Sequence, residues 1–258
     1  MAVIDGSTPF NADSIDNDVV GIAATIGAHD SGMHNHQKGQ LLFAASGCMT
    51  ISLQGAKSIL PPTRAAWIPA GVNHYAKMSN VVAYRSLYFD STLCHSLPDK
   101  VTIFTINPLL RELIERMAFW PWDKPKQEQT NTLALFIEEI QSAQQVPMTL
   151  PFPQDRRLHK WLAGIIDESV LPPPLKDVAS QVGASEKTIS RIFNREAGMP
   201  YQSWRQQWRL FIAIKLLSEG ASVADIASQL AFSSDSAFIA FFRQHTGATP
   251  GKYLEPNN

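Results

Sequence analysis

Two histidines stand one residue apart in the segment GMHNHQKGQ, residues 32–40. Side chains at positions i and i+2 of a β-strand point to the same face, so His34 and His36 can direct two imidazoles toward one ion or ligand. Gln40 follows in the same segment, and His74 supplies a third imidazole further along the chain. Imidazole is a common ligand of zinc and iron, so this set indicates the chemistry of a metal centre or a polar ligand pocket.

The elements that must position these residues have the period of β-strands. From about residue 19 to residue 90, apolar runs such as LLFAASGCMTISLQG and VVAYRSLYFD are short and are separated by glycine and proline. Short strands at this spacing are typical of a small antiparallel barrel or sandwich. We therefore predict a β-barrel over residues 1–106.

The histidine spacing resembles the two motifs of the cupin family, over about residues 21–90. In cupins a His-x-His pair, a carboxylate and a later histidine gather a divalent metal inside a small β-barrel. Gln40 stands where that pattern has its glutamate, and a neutral amide oxygen is a weaker ligand. We therefore expect no metal cofactor and a barrel that senses a small-molecule effector. The alternative is a divalent metal held by His34, His36 and His74.

An effector in this barrel is expected to meet polar and aromatic side chains. The predicted residues are His34, His36, Gln40, Phe43, Trp67, His74 and Tyr88. For the aromatic members of this set, packing in the hydrophobic core is the alternative.

Two amphipathic helices are predicted over residues 107–145. Asn107 is suited to cap the first of them, and Pro108 to its first helical position. The helices either pack within the subunit or form a homodimer, and the sequence leaves both open. Residues 141–155 are a polar stretch with several prolines and no period, and we predict the interdomain linker over residues 146–156.

The last hundred residues contain an internal repeat of apolar positions at i, i+3, i+4 and i+7. Its first copy is Leu175, Val178, Ala179 and Val182, and its second is Val223, Ile226, Ala227 and Leu230. Each copy predicts a short helix that leads through a tight turn into a second helix, which ends at Gly198 or Gly247. This is the helix-turn-helix unit, predicted twice, over about 175–197 and 222–245.

A predicted helix over residues 201–218 separates the two units. At about 1.5 Å per residue, this helix is about 27 Å long. It can therefore hold two recognition helices roughly one DNA turn apart, which is about 34 Å.

Residues 157–255 resemble the DNA-binding domain of AraC/XylS-type transcription regulators, and the segment SVADIASQLAFSSDSAFIAFFRQHTGATP carries most of the resemblance. The resemblance implies a sequence-specific activator or repressor with a separate N-terminal domain for sensing or dimerisation. It implies as partners a double-stranded DNA operator, a small-molecule effector and a second copy of the chain, with RNA polymerase as a further candidate.

The charge of the chain predicts that one basic segment, rather than the chain as a whole, attracts DNA. The formal net charge is −1, yet residues 185–215 contain six basic residues against Glu186 and Glu196. By match to the family, Lys187, Ser190 and Arg191 are expected to read bases. Arg195, Arg205 and Arg209 are expected to contact phosphates.

The second unit departs from the family pattern. Ala240 stands where many members have arginine, and Ala231 replaces the usual turn glycine. We expect this unit to contribute mainly backbone contacts, with Asp235 capping its recognition helix. Its candidate DNA-binding residues are Ser234, Asp235, Ser236 and Arg243.

These observations together predict an α+β multidomain protein: an N-terminal cupin-like β-barrel with flanking helices, and an all-α domain over residues 157–255. The predicted function is an effector-responsive bacterial transcription regulator in the cytoplasm, without a membrane segment and without enzymatic activity. The alternative is a cupin-type dioxygenase or isomerase carrying a DNA-binding tail. No G-x-S-x-G, P-loop or H-E-x-x-H motif occurs in the sequence, so the enzyme alternative depends on the histidines alone.

Overall fold

The computed structural model describes residues 2–4, 10–53, 55–146, 149–168 and 170–254. The chain divides into two compact units. The N-terminal unit comprises residues 1–51, 60–148 and 254–258, and the C-terminal unit comprises residues 52–59 and 149–253. Across the described ranges, no helix is long and apolar enough to cross a membrane.

The first half of the chain forms short antiparallel strands. These are β1 (Val19–Ile26), β2 (His29–Asp30), β3 (Gly39–Ser46), β4 (Met49–Leu53), β5 (Ala56–Leu60), β6 (Arg64–Ile68), β7 (His74–Met78), β8 (Val82–Phe89) and β9 (Thr102–Thr105). One sheet of the N-terminal unit has the strand order β1-β8-β3-β6-β9, and a second sheet contains the neighbours β4-β7-β2. The N-terminal part of the α+β fold is therefore rich in antiparallel sheet, as predicted.

Strand β3 lies in the middle of the five-stranded sheet and fixes which side chains share a face. Gln40 pairs with Tyr88 of β8 on one side and with Ile68 of β6 on the other. Because side chains alternate along a strand, Gln40 and Leu42 face one side of this sheet and Phe43 faces the other. The sheet thus separates a polar face from an apolar face.

Two helices, α1 (Pro108–Ala118) and α2 (Lys126–Ser142), cover the apolar face of this sheet. Asn107 caps α1 as predicted, since its side-chain oxygen accepts from the Leu110 N–H at 2.7 Å. The rings of Phe89 and Phe136 stack with centroids 5.3 Å apart. A Cβ at Gly21 of β1 would collide with the Met117 carbonyl, so glycine permits the close approach of β1 to α1.

The C-terminal unit is mainly helical. Its helices are α3 (Arg156–Glu168), α4 (Leu175–Gln181), α5 (Glu186–Ile192), α6 (Tyr201–Ser218), α7 (Val223–Gln229), α8 (Asp235–Thr246) and α9 (Pro250–Tyr253). A π-helical turn, Phe193–Ala197, extends α5 and ends at Gly198, which has a left-handed φ of 69°. The pairs α4–α5 and α7–α8 are the two predicted helix-turn-helix units, and α6 has the bounds predicted for the helix between them.

A short strand occupies part of the segment predicted as a linker. Strand β10 (Thr149–Pro151) pairs antiparallel with β5, with Thr149 opposite Ser58. The Trp204 indole N–H donates to the Pro151 carbonyl at 2.7 Å. The sequence hid this strand because three residues are too few to show a period of two.

Aromatic side chains form the centre of the C-terminal unit. Trp204 of α6 is fully buried and lies 5.2 Å from Phe193 and 5.3 Å from Trp208 between ring centroids. Large aromatic residues bury more apolar area than any other side chains. This cluster therefore supplies much of the hydrophobic stabilisation that holds α6 against its neighbours.

Serine caps three of the helices in the two helix-turn-helix units. Ser185, Ser222 and Ser234 accept hydrogen bonds from the backbone N–H three residues later, at the starts of α5, α7 and α8. The expectation that Asp235 caps α8 is wrong, because Asp235 is already the first helical residue. Adjacent Ser and Asp are both good N-caps, and the sequence gives no means to choose between them.

The turn of the second helix-turn-helix unit contains a strained residue. Ala231 has a φ of 54°, and among the described residues it is the non-glycine residue with a positive φ. This conformation costs an L-residue roughly 1–2 kcal/mol that glycine does not incur. We predict that Ala231→Gly raises the free energy of unfolding by up to about 1 kcal/mol, measured by urea denaturation.

The matched control for this prediction is Ala240→Gly, at an exposed position within α8. Glycine inside a helix is expected to lower the free energy of unfolding by about 1 kcal/mol. If both variants lose stability equally, the strain assigned to Ala231 is contradicted.

Candidate functional site

A cavity of about 570 Å³ lies in the N-terminal unit, between the two sheets. One part of its wall is apolar and includes Ile22, Leu42 and Met78. The other part is polar and includes His34, His36, Gln40, His74, Tyr84 and Tyr88. A concave site with an apolar body and a few convergent polar groups is typical of small-molecule binding.

The structure brings the three predicted histidines together at the polar end. His34 and His74 form an antiparallel β-bridge with N–O distances of 3.0 and 2.9 Å. The ring centroids lie 4.5 Å apart for His34 and His74, and 4.8 Å apart for His34 and His36. One nitrogen from each of the three rings lies within 4.8 Å of the others.

Backbone carbonyls and Gln40 orient these rings. The Nδ1 of His34 lies 2.8 Å from the Gly32 carbonyl, and the Nδ1 of His74 lies 2.9 Å from the Val72 carbonyl. The His74 Nε2 lies 2.8 Å from the Gln40 Oε1. The Nε2 of His36 is buried and has no hydrogen-bond partner.

Gln40 connects the histidines to strand β8. Its amide nitrogen lies 2.9 Å from the Ser86 hydroxyl and 2.8 Å from the Tyr88 hydroxyl. Gln40 itself is buried, with 2% of its surface exposed. Because buried polar groups are costly unless they are hydrogen-bonded, this network fixes the position of the amide beside His74.

Four of the polar groups that line the cavity, namely His36, His74, Tyr84 and Tyr88, are uncharged at neutral pH. Burial, with a smaller effect of the other two imidazoles, lowers the pKa of His36 to about 4. Burial also lowers the pKa of His74, and it raises the pKa values of Tyr84 and Tyr88. These groups therefore offer neutral donors and acceptors to a bound molecule.

Two of the aromatic residues predicted for the pocket lie elsewhere. Phe43 and Trp67 are fully buried in the core between the five-stranded sheet and helices α1 and α2. Strand alternation explains this, because Gln40 and Leu42 face the cavity and Phe43 must face away. For these two residues the structure favours the core-packing alternative.

Tyr84 and Asp13 line the cavity, although neither was predicted from the sequence. Tyr84 could have been found, since it lies four residues before Tyr88 on the same strand and so faces the same side. Asp13 could not, because it comes from a distant segment. Its carboxylate accepts hydrogen bonds from the backbone N–H groups of Gln37 and Lys38 and holds the loop after His36.

The cupin-like pattern implies a metal, and the residues present fit one. His34 and His74 direct Nδ1 at carbonyls, an arrangement that commonly orients metal-binding histidines. His34, His36 and His74 would hold the ion, with the Gln40 amide oxygen beside them in place of the cupin carboxylate. A bound divalent ion would supply Lewis acidity and a point of attachment for a ligand.

In the C-terminal unit, α5 presents the residues expected to read bases. Lys187 and Arg191 are exposed and four residues apart, and Ser190 is half-buried between them on the same side of α5. Residues at i, i+3 and i+4 share one face of a helix. This face carries two positive charges and one hydroxyl, which suits contact with base edges and phosphates.

The arginines expected to contact phosphates have partners within the unit. Arg195 pairs with Glu196 and lies 3.8 Å from Asp155. Arg205 donates from Nε to the Pro172 carbonyl at 2.5 Å. These contacts occupy the guanidinium groups that we predicted would contact DNA phosphates.

Arg209 makes both a hydrogen bond and a cation–π contact within the unit. It donates from Nη2 to the Leu230 carbonyl at 2.5 Å, and its guanidinium lies 3.9 Å from the centre of the Phe232 ring. Burial lowers its pKa. The contacts tie α6 to the turn between α7 and α8, next to the strained Ala231.

The recognition helix of the second unit presents mainly small and acidic groups. Asp235 and Ser236 are exposed at the start of α8, and Arg243 is exposed near its end. The Ser234 hydroxyl accepts from the Ala237 N–H at 3.1 Å, so it is already used as a cap.

We predict that stability falls as the pH drops from about 6.5 to about 4, because of His36. The unfolded chain takes up a proton at the ordinary histidine pKa of about 6.5, whereas folded His36 does so only near 4. His36→Gln should therefore flatten the dependence of the urea midpoint on pH in this window. A chelator in the buffer keeps metal ions from the cluster.

The control for the pH series is His95→Gln, since His95 is exposed and lies outside the cavity. This variant should retain the wild-type pH dependence. An unchanged pH slope in His36→Gln would contradict the assignment.

Comparison with known proteins gives two family matches. The profile described as AraC-like ligand binding domain matches residues 16–169, which is more than half of the chain. The profile described as Helix-turn-helix domain matches residues 178–256. The first match includes the three histidines and Gln40 of the cavity, and the second includes α5 and α8.

The similar proteins include transcription regulators. The HTH-type transcriptional regulator NimR of Escherichia coli (strain K12) is 29% identical over 225 residues, covering 87% of this chain and 82% of NimR. The regulatory protein PocR of Salmonella typhimurium is 34% identical over 109 residues, covering 42% of this chain and 36% of PocR. Among solved structures, ToxT from Vibrio cholerae covers 92% of this chain and 98% of its own at 9% identity, with a TM-score of 0.38.

The match of the AraC-like profile covers more than half of the chain and therefore identifies its family. The chain belongs to the AraC family of transcription regulators, with an AraC-like ligand-binding domain followed by a DNA-binding helix-turn-helix domain.

Proposed function

We propose that this regulator reads its operator mainly through α5 and responds to a small molecule in the cavity of the N-terminal unit. The observation that carries the proposal is the pairing, in one chain, of a cavity with convergent polar groups and an exposed basic helix face, Lys187 and Arg191. The protein would act by binding rather than by catalysis. The polar groups of the cavity are held in hydrogen bonds that suit recognition.

We propose the same domain boundaries as those predicted from the sequence. We propose residues 1–106 as the sensing domain, although residues 52–59 lie in the C-terminal unit, with 107–145 as the helices beside it, 146–156 as the connection and 157–255 as the DNA-binding domain. Strand β10 lies in the connection and packs in the C-terminal unit.

We further propose that the active form is a homodimer that acts on RNA polymerase from its operator. Leu109 of α1 and Leu135 of α2 support the dimer, because they are large apolar residues left exposed on the helices that cover the sheet. Exposed apolar side chains on adjacent helices are typical of protein interfaces. Sedimentation of the full chain, alone and bound to DNA, measures this state.

The experiment that tests the function is selection of binding sites from a random pool of DNA duplexes with the full chain. A regulator of this kind should enrich one sequence. A dimer should enrich two copies of it at fixed spacing. The absence of any enriched sequence would contradict sequence-specific binding.

Base reading by α5 gives a prediction about selectivity. Arg191→Ala should lower the preference for the selected site over random DNA by about 1–3 kcal/mol, because an arginine that donates to a guanine is lost. The matched control is Arg243→Ala, which removes an exposed arginine from α8. If Arg243→Ala or Ser236→Ala costs as much selectivity as Arg191→Ala, the leading role of α5 is wrong.

The contacts of Arg209 give a prediction about salt dependence. If Arg209 contacts phosphate, Arg209→Ala should reduce the slope of log K against log salt by about 1. We expect an unchanged slope, lower affinity and a lower midpoint of unfolding, because the guanidinium holds the turn at Leu230. A slope reduced by about 1 at unchanged stability would show a phosphate contact instead.

A further inference from the structure

The cluster of His34, His36 and His74 contains ring nitrogens that could bind a metal ion and that are not used in its hydrogen bonds. The two carbonyl contacts occupy the Nδ1 atoms of His34 and His74 and leave both Nε2 atoms directed away from the backbone. The buried Nε2 of His36 has no partner. Buried polar atoms without partners are rare and call for an explanation such as a bound ion.

The surroundings of His74 point in the same direction. Its Nδ1 faces the Val72 carbonyl oxygen, and its Nε2 faces the Gln40 amide oxygen. A neutral imidazole carries a single N–H, so it can satisfy only one of two acceptors. A metal ion bound by Nε2, with the amide oxygen as the neighbouring ligand, satisfies both.

The distances suit such an ion. Ligands at about 2.0–2.1 Å from a zinc-like ion lie roughly 2.9–3.4 Å from one another. The His74 Nε2 and the Gln40 Oε1 are 2.8 Å apart, and the three imidazole nitrogens lie within 4.8 Å of one another. Rotation of the rings that brings the imidazole nitrogens to within about 3.4 Å of one another would complete a site.

The charge of this ligand set indicates reversible binding. Three imidazoles and one amide are neutral, so this set lacks the carboxylate of the cupin pattern and is expected to bind an ion less tightly than that pattern does. The carboxylate of Asp13, which also lines the cavity, is already used by the N–H groups of Gln37 and Lys38. Weaker binding than in the full cupin set would let the occupancy of the site follow the concentration of the ion, which suits a signal.

We propose that the effector is a divalent transition-metal ion of the zinc, nickel or cobalt type, bound by His34, His36 and His74 with the Gln40 amide oxygen. Imidazole suits these ions, and the absence of a carboxylate in the set excludes strong binding of magnesium or calcium. That the ion acts as an effector rests on the proposed function of the chain as a DNA-binding regulator.

A competing arrangement needs no ion at His74. If the Gln40 amide is turned by 180°, its nitrogen donates to His74 Nε2, and its oxygen accepts from the hydroxyls of Ser86 and Tyr88. This arrangement leaves His36 without a partner, and it predicts no stoichiometric metal. The two arrangements therefore differ in a measurable property.

The test uses the full chain without an affinity tag, stripped with a chelator and titrated with Zn²⁺ and Co²⁺. We expect one ion per chain, with the visible absorption of nitrogen-ligated Co²⁺. His36→Ala should weaken Zn²⁺ binding by at least about 100-fold, since a ligand is lost. His95→Ala is the matched control, since His95 is an exposed histidine outside the cluster, and it should leave binding unchanged.

Gln40→Glu keeps the test decisive if His36→Ala fails to fold. A glutamate adds an anionic ligand at the same position, so Zn²⁺ affinity should rise by about tenfold or more. Wild-type protein that binds no stoichiometric ion would overturn the site. So would Zn²⁺ binding that is equal in wild type, His36→Ala and Gln40→Glu.

The effector role is measured separately, as affinity for the selected DNA site with and without Zn²⁺. A change in affinity of about fivefold or more in wild type, absent in His36→Ala, supports it. Metal binding without any change in DNA affinity overturns the effector role. Failure of the proposed function itself would appear differently, as the lack of any selected DNA site in either metal state.

Discussion

The alternation of side chains along β3 is the constraint on which the N-terminal unit depends. Gln40 and Leu42 must face the cavity if Phe43 is to pack beneath α1 and α2. A shift of one residue would bury the amide in an apolar core and open the phenyl ring to the cavity. Gln40 donates hydrogen bonds to Ser86 and Tyr88 and directs its amide oxygen at His74, and these contacts fix the same register from the polar side.

Helix α6 has the corresponding role in the C-terminal unit. Its aromatic residues Trp204 and Trp208 anchor it in the core, and its arginines reach the segments on either side. Arg205 holds the chain before α4, and Arg209 holds the turn between α7 and α8. The separation of the two recognition helices is therefore set by a helix that hydrogen bonds hold to the rest of the C-terminal unit.

The sequence predicted best what depends on local pattern. The bounds of α6, the Asn107 cap and the two helix-turn-helix units follow from periodicity and capping. The sequence predicted less well the features that depend on contacts between residues far apart in the chain. The pocket was assigned Phe43 and Trp67 by residue type, whereas their facing is set by strand alternation and by the helices that cover them. Likewise, the positive charge of Arg209 indicated a phosphate contact, but its guanidinium has the Leu230 carbonyl and the Phe232 ring as partners, and the sequence does not show that these meet.

We propose that the two helix-turn-helix units, held by the rigid helix α6, enter successive major grooves of DNA and that α5 supplies the base contacts. Guanine-methylation interference on the selected DNA site measures this most directly. Two groups of interfering positions about ten base pairs apart are expected for each chain, and Arg191→Ala should remove a contact only from the stronger group. A single group of positions, or the loss of contacts in both groups in Arg191→Ala, would contradict the account.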